Sequence, residues 1–560
     1  MQHYIFIIVC IVNYSFPLCY GQESGISVDR AMSLSRMADF YYTAHNYEKA
    51  IDYEKKSLAM KNFLYGSHSS ESIKSILNLA KYHYNRGIEN ERERNSNISD
   101  FVNATRYAKK SMEIIKDTLL SVFEELDYSS RYKLWQITNG IFMDTYPIYV
   151  AKNKNDSTLS DLYNTVLFSK GISWKKNITL NTLCWKDIQN ALGTNDIAIE
   201  FISPVVPSND NSVFYALTIK KGDNSPKMTK LFDILQLQDS LLTCNTKTEK
   251  DQKIGKMVWG PLHKELLKTQ NIYFSATHVL NCLPIEYMPI IDTENDNEKY
   301  HIFRLSSTIE IVKHKAKSKY KNAVLYGGLQ YESATMDEHE STRSGYEPLP
   351  NTEEEVAEIA KVLASSKIEC KRYINDKGTE SSFYSLSGKP IDILHIATHG
   401  RYIRDQGKAT EGIYDYDNEL KSSIIIFSGA NKLLSSPTES YQNDGIITAL
   451  DISQMNFSNL DIVTLSACES ALGEYGFDDS VMGLWRSFKI AGANTILMSL
   501  DKVDDEATRI LMVEFYKNLM SGKTKLQSLK DAQKYLRQVD NGKYDDPKYW
   551  ASFIMLDGLN

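Results

Sequence analysis

LDIVTLSACESALG, at residues 460–473, is the most informative stretch of this 560-residue chain. Its apolar, β-branched run at 462–465 is typical of a buried parallel strand. Two small residues follow, and Cys468 comes at the carboxyl end of that strand. Ligands and chemistry in open α/β sheets lie at this edge, so the position of Cys468 is one where a reactive thiol is expected.

A second stretch, IDILHIATHG at residues 391–400, has the same form and ends in His399 and Gly400. If the two strands lie side by side in parallel, His399 and Cys468 emerge at the same edge of the sheet. An imidazole within reach of a thiol is the arrangement that a cysteine nucleophile needs. Taken singly, the cysteine is more simply explained as a small buried hydrophobe, and the histidine as a structural residue beside a glycine. The pair of matching strand ends favours the catalytic interpretation.

With these two motifs the chain resembles the CHAT family of cysteine peptidases, relatives of caspases and separase. In that family one strand ends in His-Gly and a later strand ends in Ser-Ala-Cys-Glu. The resemblance implies a caspase-like α/β domain, a mostly parallel sheet flanked by helices, over residues 185–560, with its catalytic half at about 320–560. It also implies that His399 and Cys468 form the catalytic dyad, and that the backbone N–H groups of Gly400 and Cys468 hold the oxyanion.

The two histidines of the second stretch are expected to differ in role. In the implied mechanism His399 orients or deprotonates Cys468 and later protonates the leaving amine. Glycine at position 400 allows the backbone to approach the substrate without a Cβ atom. His395 precedes His399 by four residues, about 13 Å along a strand, so we expect it in the core or in a lid.

Specificity is predicted from the segment after the apolar run at 496–500. Many relatives carry Trp-Pro there, whereas this chain has Asp501 and Lys502, with Asp504 and Asp505 following. Three carboxylates against one ammonium favour a basic residue before the scissile bond, ideally arginine, which a carboxylate binds through two hydrogen bonds. The alternative is that Asp504 and Asp505 cap the helix that follows, a common use of aspartate.

Helix ends in the catalytic half can also be predicted. The segment LPNTEEEV at residues 349–356 predicts the start of a helix, with Thr352 as its N-cap and acids in its first turn. A later helix is expected to bury Trp485 and Phe488 and to end at Gly492, since glycine is common just past a helix.

Residues 27–180 show helical periodicity. Two copies of a helix-turn-helix pattern recur, and Ala50 and Ala104 occupy the position where a larger side chain would push the helices apart. The copies resemble tetratricopeptide repeats in the longer form of kinesin light chains, although Glu54 and Ser57 replace residues that are commonly apolar or small. This resemblance implies a protein or peptide ligand that controls the peptidase. The alternative is that the helices only cap the catalytic domain.

Residues 1–21 predict a secretory signal peptide. The apolar run at 4–12 is too short to span a bilayer comfortably, and a turn with small residues precedes the cleavage site expected near Gly21. The protein is therefore expected to be exported, as a periplasmic, secreted or cell-surface protein; an uncleaved membrane anchor is the alternative. No later stretch is apolar enough to cross a membrane. Five cysteines are left after cleavage, so at least one thiol should stay free, with Cys468 the natural candidate.

Composition and missing motifs exclude several other classes. A net charge of −7 and an isoelectric point near 6.0 give no electrostatic reason to expect nucleic acid as a partner. The sequence has no CxxC pair, HExxH segment, G-x-S-x-G elbow or phosphate loop, so neither a metal nor a cofactor is expected. The predicted function is a cysteine peptidase acting on proteins or peptides. The alternative is a non-catalytic or latent peptidase-like scaffold for protein–protein interaction.

Overall fold

The computed structural model of the chain describes residues 26–95, 98–123, 125–126, 128–172, 183–206, 211–244, 246–290, 299–313, 319–331, 345–402, 420–431, 444–466, 482–501 and 503–559. Cys468 and the signal expected at residues 1–21 lie outside these ranges, so what was predicted for them stays a prediction. Within the described ranges, no helix combines the length and the apolar composition that crossing a membrane requires.

The chain divides into two compact units: Met1–Ser173 with Ser203–Phe214 and Asn224–Met228, and the remaining residues. The first unit is mainly helical, which confirms the expected helical N-terminal region. Its described helices are α1 (Val28–Thr43), α2 (Tyr47–Tyr65), α3 (Ser70–Arg92), α4 (Ile98–Phe123), α5 (Tyr128–Gly140), α6 (Tyr146–Lys152) and α7 (Asp156–Ile172), with a π-helical turn at Ile141–Thr145.

Small side chains lie where the first helices cross. Ala38, Ala50 and Ala104 are fully buried, so the helices that carry them can approach their neighbours closely. Asn46 and Ser69 cap the N-termini of α2 and α3. Their side-chain oxygens accept hydrogen bonds from backbone N–H groups of the first turn. The local sequence and the packing thus specify the same helix-turn-helix arrangement.

Glu54 and Ser57, the two polar residues that depart from the repeat pattern, have hydrogen-bond partners inside the helical unit. Glu54 is fully buried, and its carboxylate accepts hydrogen bonds from the hydroxyl of Ser35 at 3.1 Å. The Nζ atom of Lys61 lies 4.0 Å from the same carboxylate. Ser57 donates a hydrogen bond of 2.8 Å to the carbonyl oxygen of Ala31. Because an unpaired buried carboxylate is costly, these contacts explain how polar residues are tolerated at usually apolar positions.

A mostly parallel sheet forms the framework of the second unit. Its strands pair in the order β3-β1-β5-β6-β15-β14-β13-β9-β7-β8 among the described residues, and β4 pairs with β3. Strand β2 pairs with the first two residues of β3, inside the first unit. The β1–β3 and β14–β15 pairs are antiparallel, whereas β13 runs parallel to both β9 and β14. The strands of the chain are β1 (Asp196–Ile202), β2 (Val205–Val206), β3 (Asn211–Lys220), β4 (Lys227–Asp233), β5 (Asn271–Ser275), β6 (His301–Leu305), β7 (Asn322–Leu329), β8 (Glu369–Asn375), β9 (Ile393–Ile396), β10 (Gly400–Tyr402), β11 (Ser423–Ile426), β12 (Ile446–Thr448), β13 (Ile462–Leu465), β14 (Thr495–Ser499) and β15 (Phe553–Leu556).

Side chains on both faces of this sheet are buried, which explains why its central strands are largely apolar. Leu394 and Val463 belong to one core cluster together with Phe488, and Ile393 and Ile462 belong to another, formed with the helices that begin at residues 350, 505 and 525. The helices of this unit are α8 (Trp185–Ala191), α9 (Ile234–Thr243), α10 (Lys247–Trp259), α11 (His263–Leu266), α12 (Glu310–Lys313), α13 (Pro350–Ser365), α14 (Glu380–Tyr384), α15 (Ala449–Gln454), α16 (Met482–Ala491), α17 (Asp505–Met520) and α18 (Lys525–Gln538). The predicted fold class, a helical region followed by a mostly parallel sheet flanked by helices, is confirmed.

One predicted helix cap is wrong. Helix α13 begins at Pro350, with Leu349 in the N-cap position, and Thr352 lies inside the first turn. Proline suits this start because it has no N–H group that would need a partner. The hydroxyl of Thr352 accepts the N–H of Gly328 at 2.8 Å and donates to the carbonyl of Leu349. Thr352 therefore ties the start of α13 to the end of β7.

Candidate active site

The candidate active site lies at the carboxyl ends of β9 and β13. These strands are neighbours and run parallel, with Ile396 paired to Leu465. His399 follows Ile396 by three residues, and Cys468 follows Leu465 by three residues in the sequence. Cys468 itself lies outside the described residues. The condition on which the dyad was predicted, two parallel strands side by side, is therefore met by the described part of the site.

His399 is half-buried and its ring is bound by a backbone carbonyl. The Nε2 atom lies 2.8 Å from the carbonyl oxygen of Glu347. Since a carbonyl oxygen can only accept, Nε2 is the nitrogen that donates, and in the neutral imidazole Nδ1 is then the basic nitrogen. The rings of Tyr331 and Tyr346 lie against the imidazole, with centroids 5.0 Å and 5.7 Å away.

The main chain on either side of the imidazole is fixed by β11. The N–H of Ile426 donates to the carbonyl oxygen of His399 at 2.9 Å. The hydroxyl of Thr398 donates to the carbonyl oxygen of Ile426 at 2.7 Å, and the Tyr331 hydroxyl lies 2.8 Å from the hydroxyl of Thr398. Burial raises the pKa of Tyr331 to about 12, so this phenol stays protonated at neutral pH and can donate to Thr398.

Gly400 occupies an edge strand of a small antiparallel sheet, β10-β11-β12. It pairs with Ile425, and the neighbouring bond runs from the N–H of Ile426 to the carbonyl of His399. In an antiparallel ladder this makes Gly400 and Ile425 a pair that does not exchange hydrogen bonds. The N–H group of Gly400 therefore points away from β11.

His395 lies in the core, as expected. It is fully buried in the middle of β9, and its Nε2 atom is 2.8 Å from a carboxylate oxygen of Glu355 on α13. Its Nδ1 atom lies 3.4 Å from the hydroxyl of Tyr516, which is 2.9 Å from the hydroxyl of Thr464 on β13. These contacts join the sheet to α13 and α17.

The three candidate specificity residues separate in the structure. Asp504 caps α17, where its carboxylate accepts the N–H of Ala507 at 2.9 Å, as the capping alternative predicts. Asp501 lies 3.8 Å from Lys247, and both side chains are well exposed. Asp505 stands in the first turn of α17, and its charge adds, after burial, to the rise in the pKa of Tyr331 beside His399. The site residues that sequence reasoning missed are those around the imidazole: Tyr331, Tyr346 and the carbonyl of Glu347.

Metal and thiol chemistry elsewhere has little support in the described ranges. The described residues contain no group of three or more His, Cys, Asp or Glu side chains arranged to hold a metal ion. Cys184, Cys244 and Cys370 are free thiols. Burial raises the pKa of the Cys370 thiol to about 11, which keeps it protonated and unreactive at neutral pH.

Among curated proteins the chain is similar to tetratricopeptide repeat protein 28. It is 20% identical to the mouse protein over 371 residues, which is 64% of this chain and 14% of the mouse protein. It is 21% identical to the human protein over 244 residues, which is 42% of this chain and 9% of the human protein. The chain thus spans a small part of the length of these relatives.

Two solved structures are similar to this chain at low identity. One is the Arg-specific cysteine proteinase gingipain R, with a TM-score of 0.34 and 11% identity, covering 54% of this chain and 66% of that one. The other is the Saccharomyces cerevisiae separase–securin complex, with a TM-score of 0.45 and 10% identity, covering 94% and 44%.

The CHAT domain family matches residues 248–558, more than half of the chain. The matched range contains β5 to β15, and with them both strands of the candidate site. Sequence pattern, sheet order and family match agree on this part of the molecule. The chain belongs to the CHAT domain family.

Proposed function

We propose that the chain is a cysteine endopeptidase in which His399 and Cys468 form the catalytic dyad. The observation that carries this proposal is the parallel pairing of β9 with β13, because His399 and Cys468 each follow one of these strands by three residues in the sequence. The carbonyl of Glu347 supports it, since a bond at Nε2 makes Nδ1 the nitrogen that can take a proton.

In the proposed reaction, Nδ1 of His399 takes the thiol proton and the Cys468 sulfur attacks the carbonyl carbon of the scissile peptide bond. The tetrahedral oxyanion collapses, the C–N bond breaks, and His399 gives its proton to the leaving amine. A water molecule, deprotonated by His399, then hydrolyses the thioester and frees the thiol. No cofactor enters this sequence.

The oxyanion would be stabilised by backbone N–H groups of Gly400 and Cys468. Gly400 supports this role because its N–H points away from β11 at the edge of its sheet. Hydrogen-bond donors fixed in this way lower the barrier most when they meet the charge that develops in the transition state.

Asp505 is the residue we propose for recognition of a basic side chain before the scissile bond. It stands in the first turn of α17, and its charge adds, after burial, to the rise in the pKa of Tyr331, whose ring packs against His399. Asp504 is used as a helix cap, and Asp501 lies beside Lys247.

The direct test compares proteins cleaved in the presence of the wild type and of Cys468→Ala. New N-termini, identified by mass spectrometry, should appear only with the wild type and should follow arginine or lysine. Identical sets from both proteins would favour the scaffold alternative. A wild-type set that follows acidic or apolar residues would refute the specificity proposal while leaving peptidase activity in place.

We also propose that the helical unit binds a protein or peptide whose binding controls the peptidase. A mixed aromatic and charged cluster joins α1 to α3: the ring of half-exposed Tyr42 stacks on Tyr82 at 4.8 Å, and the Nζ of Lys81 lies 4.4 Å from the Tyr42 ring. The hydroxyl of Tyr82 donates to Asp39 at 2.6 Å. Rigid aromatic rings beside charged groups are well suited to hold a peptide.

A peptide array tests this second proposal. Tyr42→Ala and Lys81→Ala should weaken binding of the peptides that wild type retains, and any effect of those peptides on cleavage should weaken in parallel. The matched control is Lys56→Ala, because Lys56 is an exposed lysine of α2 that pairs with Asp52 at 2.7 Å. Equal binding by all four proteins would contradict the proposed surface.

A further inference from the structure

A single side chain holds the segment that carries the Glu347 carbonyl. The Oδ1 atom of Asn431 accepts the N–H of Tyr346 at 2.8 Å, and its Nδ2 atom donates to the carbonyl oxygen of Tyr346 at 3.1 Å. The amide thus binds both polar backbone groups of one residue, as a neighbouring strand would. Glu347, whose carbonyl binds His399, is the next residue.

Asn431 is itself anchored to the other aromatic neighbour of the imidazole. Its backbone N–H donates to the carbonyl oxygen of Tyr331 at 2.9 Å, and the N–H of Gly429 donates to the carbonyl of Gln330 at 2.9 Å. The chain after β11 therefore runs beside the chain after β7. Through these contacts Asn431 fixes the backbones of both tyrosines whose rings pack on His399.

The packing around this amide is tight. A Cβ atom at Gly345 would lie 2.9 Å from Nδ2 and 3.0 Å from Oδ1 of Asn431. Any side chain at position 345 would have to displace the amide from its bonds with Tyr346. Glycine at position 345 therefore leaves the room that the Asn431 amide needs.

We propose that Asn431 is a positioning residue for His399, which it orients through Tyr346 and the carbonyl of Glu347. The inference rests on the proposed function, since it assigns the purpose of the orientation to proton transfer by His399. Asn431 acts on His399 through the backbone of Tyr346, and its effect is geometric. A misplacement of about 1 Å in a reacting group can cost about 100-fold in rate.

Kinetics of variants in the full-length chain give the first arm of the test. Asn431→Ala removes the amide and Gly345→Ala displaces it, so both should lower kcat for peptide hydrolysis, by up to about 100-fold, while KM changes little. The matched control is Asn322→Ala, because the Asn322 amide also binds a backbone carbonyl, that of Pro390 at 2.9 Å, at the opposite end of β7. This control should retain the wild-type kcat.

Nitrogen NMR of the histidine rings gives the second arm, and it does not depend on activity. In wild type, neutral His399 should carry its proton on Nε2; in Asn431→Ala and Gly345→Ala it should show a mixture of the two tautomers. The signals of His395 should stay unchanged, and His399→Gln assigns the resonance. If Asn431→Ala does not fold, Gly345→Ala carries the same test.

The outcomes separate the two proposals. A changed His399 tautomer in a chain that hydrolyses no peptide would refute the proposed function and support the positioning by Asn431. An unchanged tautomer in the folded variants would overturn the positioning, whatever the activity. A fall in kcat that Asn322→Ala reproduces would overturn it as well, because the loss would then follow from reduced stability.

Discussion

His395 and His399 lie four residues apart in one segment of chain, and their surroundings differ in kind. His395 is fully buried, with the carboxylate of Glu355 at one ring nitrogen and the hydroxyl of Tyr516 at the other. His399 is half-buried just beyond the strand end, with a backbone carbonyl at Nε2 and two tyrosine rings against its faces.

These surroundings favour His399 over His395 for the proton transfer that we propose. An imidazole beside a carboxylate in the core is locked, since removing either partner leaves a buried polar or charged group unpaired. At the edge of the sheet, the carbonyl that binds Nε2 of His399 fixes the imidazole without a buried charge, which suits the proton transfer that we propose for this residue. One segment of chain thus supplies one histidine to the core and one to the candidate site.

The largest expected effect concerns activity. His399→Gln should lower kcat/KM by about 10²- to 10⁴-fold, because it removes the proton-transfer group, while His395→Gln should retain the wild-type value per folded molecule. Hydrolysis of a peptide library, normalised to folded protein, measures both. Equal losses of kcat/KM in the two variants would contradict the assignment of proton transfer to His399.

Stability should show the reverse order. Glu355→Ala leaves the buried Nε2 atom of His395 without its carboxylate partner and should lower the free energy of unfolding by about 1–3 kcal/mol. Glu347→Ala is the control, because Glu347 contributes its backbone carbonyl to His399 and its side chain is exposed. Urea denaturation followed by circular dichroism compares them. A similar loss in both variants would mean that the surroundings of the two histidines do not differ as described.

A smaller effect is expected on specificity. Asp505→Asn should reduce the preference for arginine over leucine before the scissile bond by about tenfold, since it removes the carboxylate that we propose to bind the substrate cation. Asp504→Asn should keep the preference, because asparagine also caps helices well. Competition between paired peptides gives the ratio of the cleavage rates after arginine and after leucine. A change of this ratio in Asp504→Asn alone would show that Asp504, and not Asp505, binds the basic side chain.

The smallest effect should come from the cap of α17. Asp504→Ala removes the acceptor of the Ala507 N–H and should cost about 1 kcal/mol of stability. Thermal unfolding at neutral pH measures the loss, with the cleavage preference recorded on the same samples. A changed preference without a loss of stability would show that Asp504 acts on substrate and not on the helix.

Much of this arrangement could be predicted because it depends on local sequence. Apolar β-branched runs gave the strands before His399 and Cys468, and the end of α16 before Gly492 follows from the positive φ of 106° that glycine adopts there. The cap at Thr352 was mispredicted because its hydroxyl serves Gly328, a contact across elements that no local rule contains.

The carbonyl of Glu347 and the amide of Asn431 could not have been found from the sequence. Every residue has a carbonyl group, so nothing in the residue type distinguishes the one that meets an imidazole. Asn431 lies 85 positions from Tyr346 in the chain, and their contact arises only from the way the connections after β7 and β11 meet. Both contacts depend on the tertiary fold and not on the local sequence.

The proposed activation of Cys468 by His399 can be tested through the alkylation rate of this thiol. Iodoacetamide labelling at pH 6.5, followed by peptide mass spectrometry, reports Cys468 beside the partly exposed thiols of Cys184 and Cys244 in one sample. Cys468 should react about tenfold faster than the other two thiols in wild type and in His395→Gln, and His399→Gln should abolish the difference. Equal rates for the three thiols in wild type, unchanged in His399→Gln, would contradict the proposed activation.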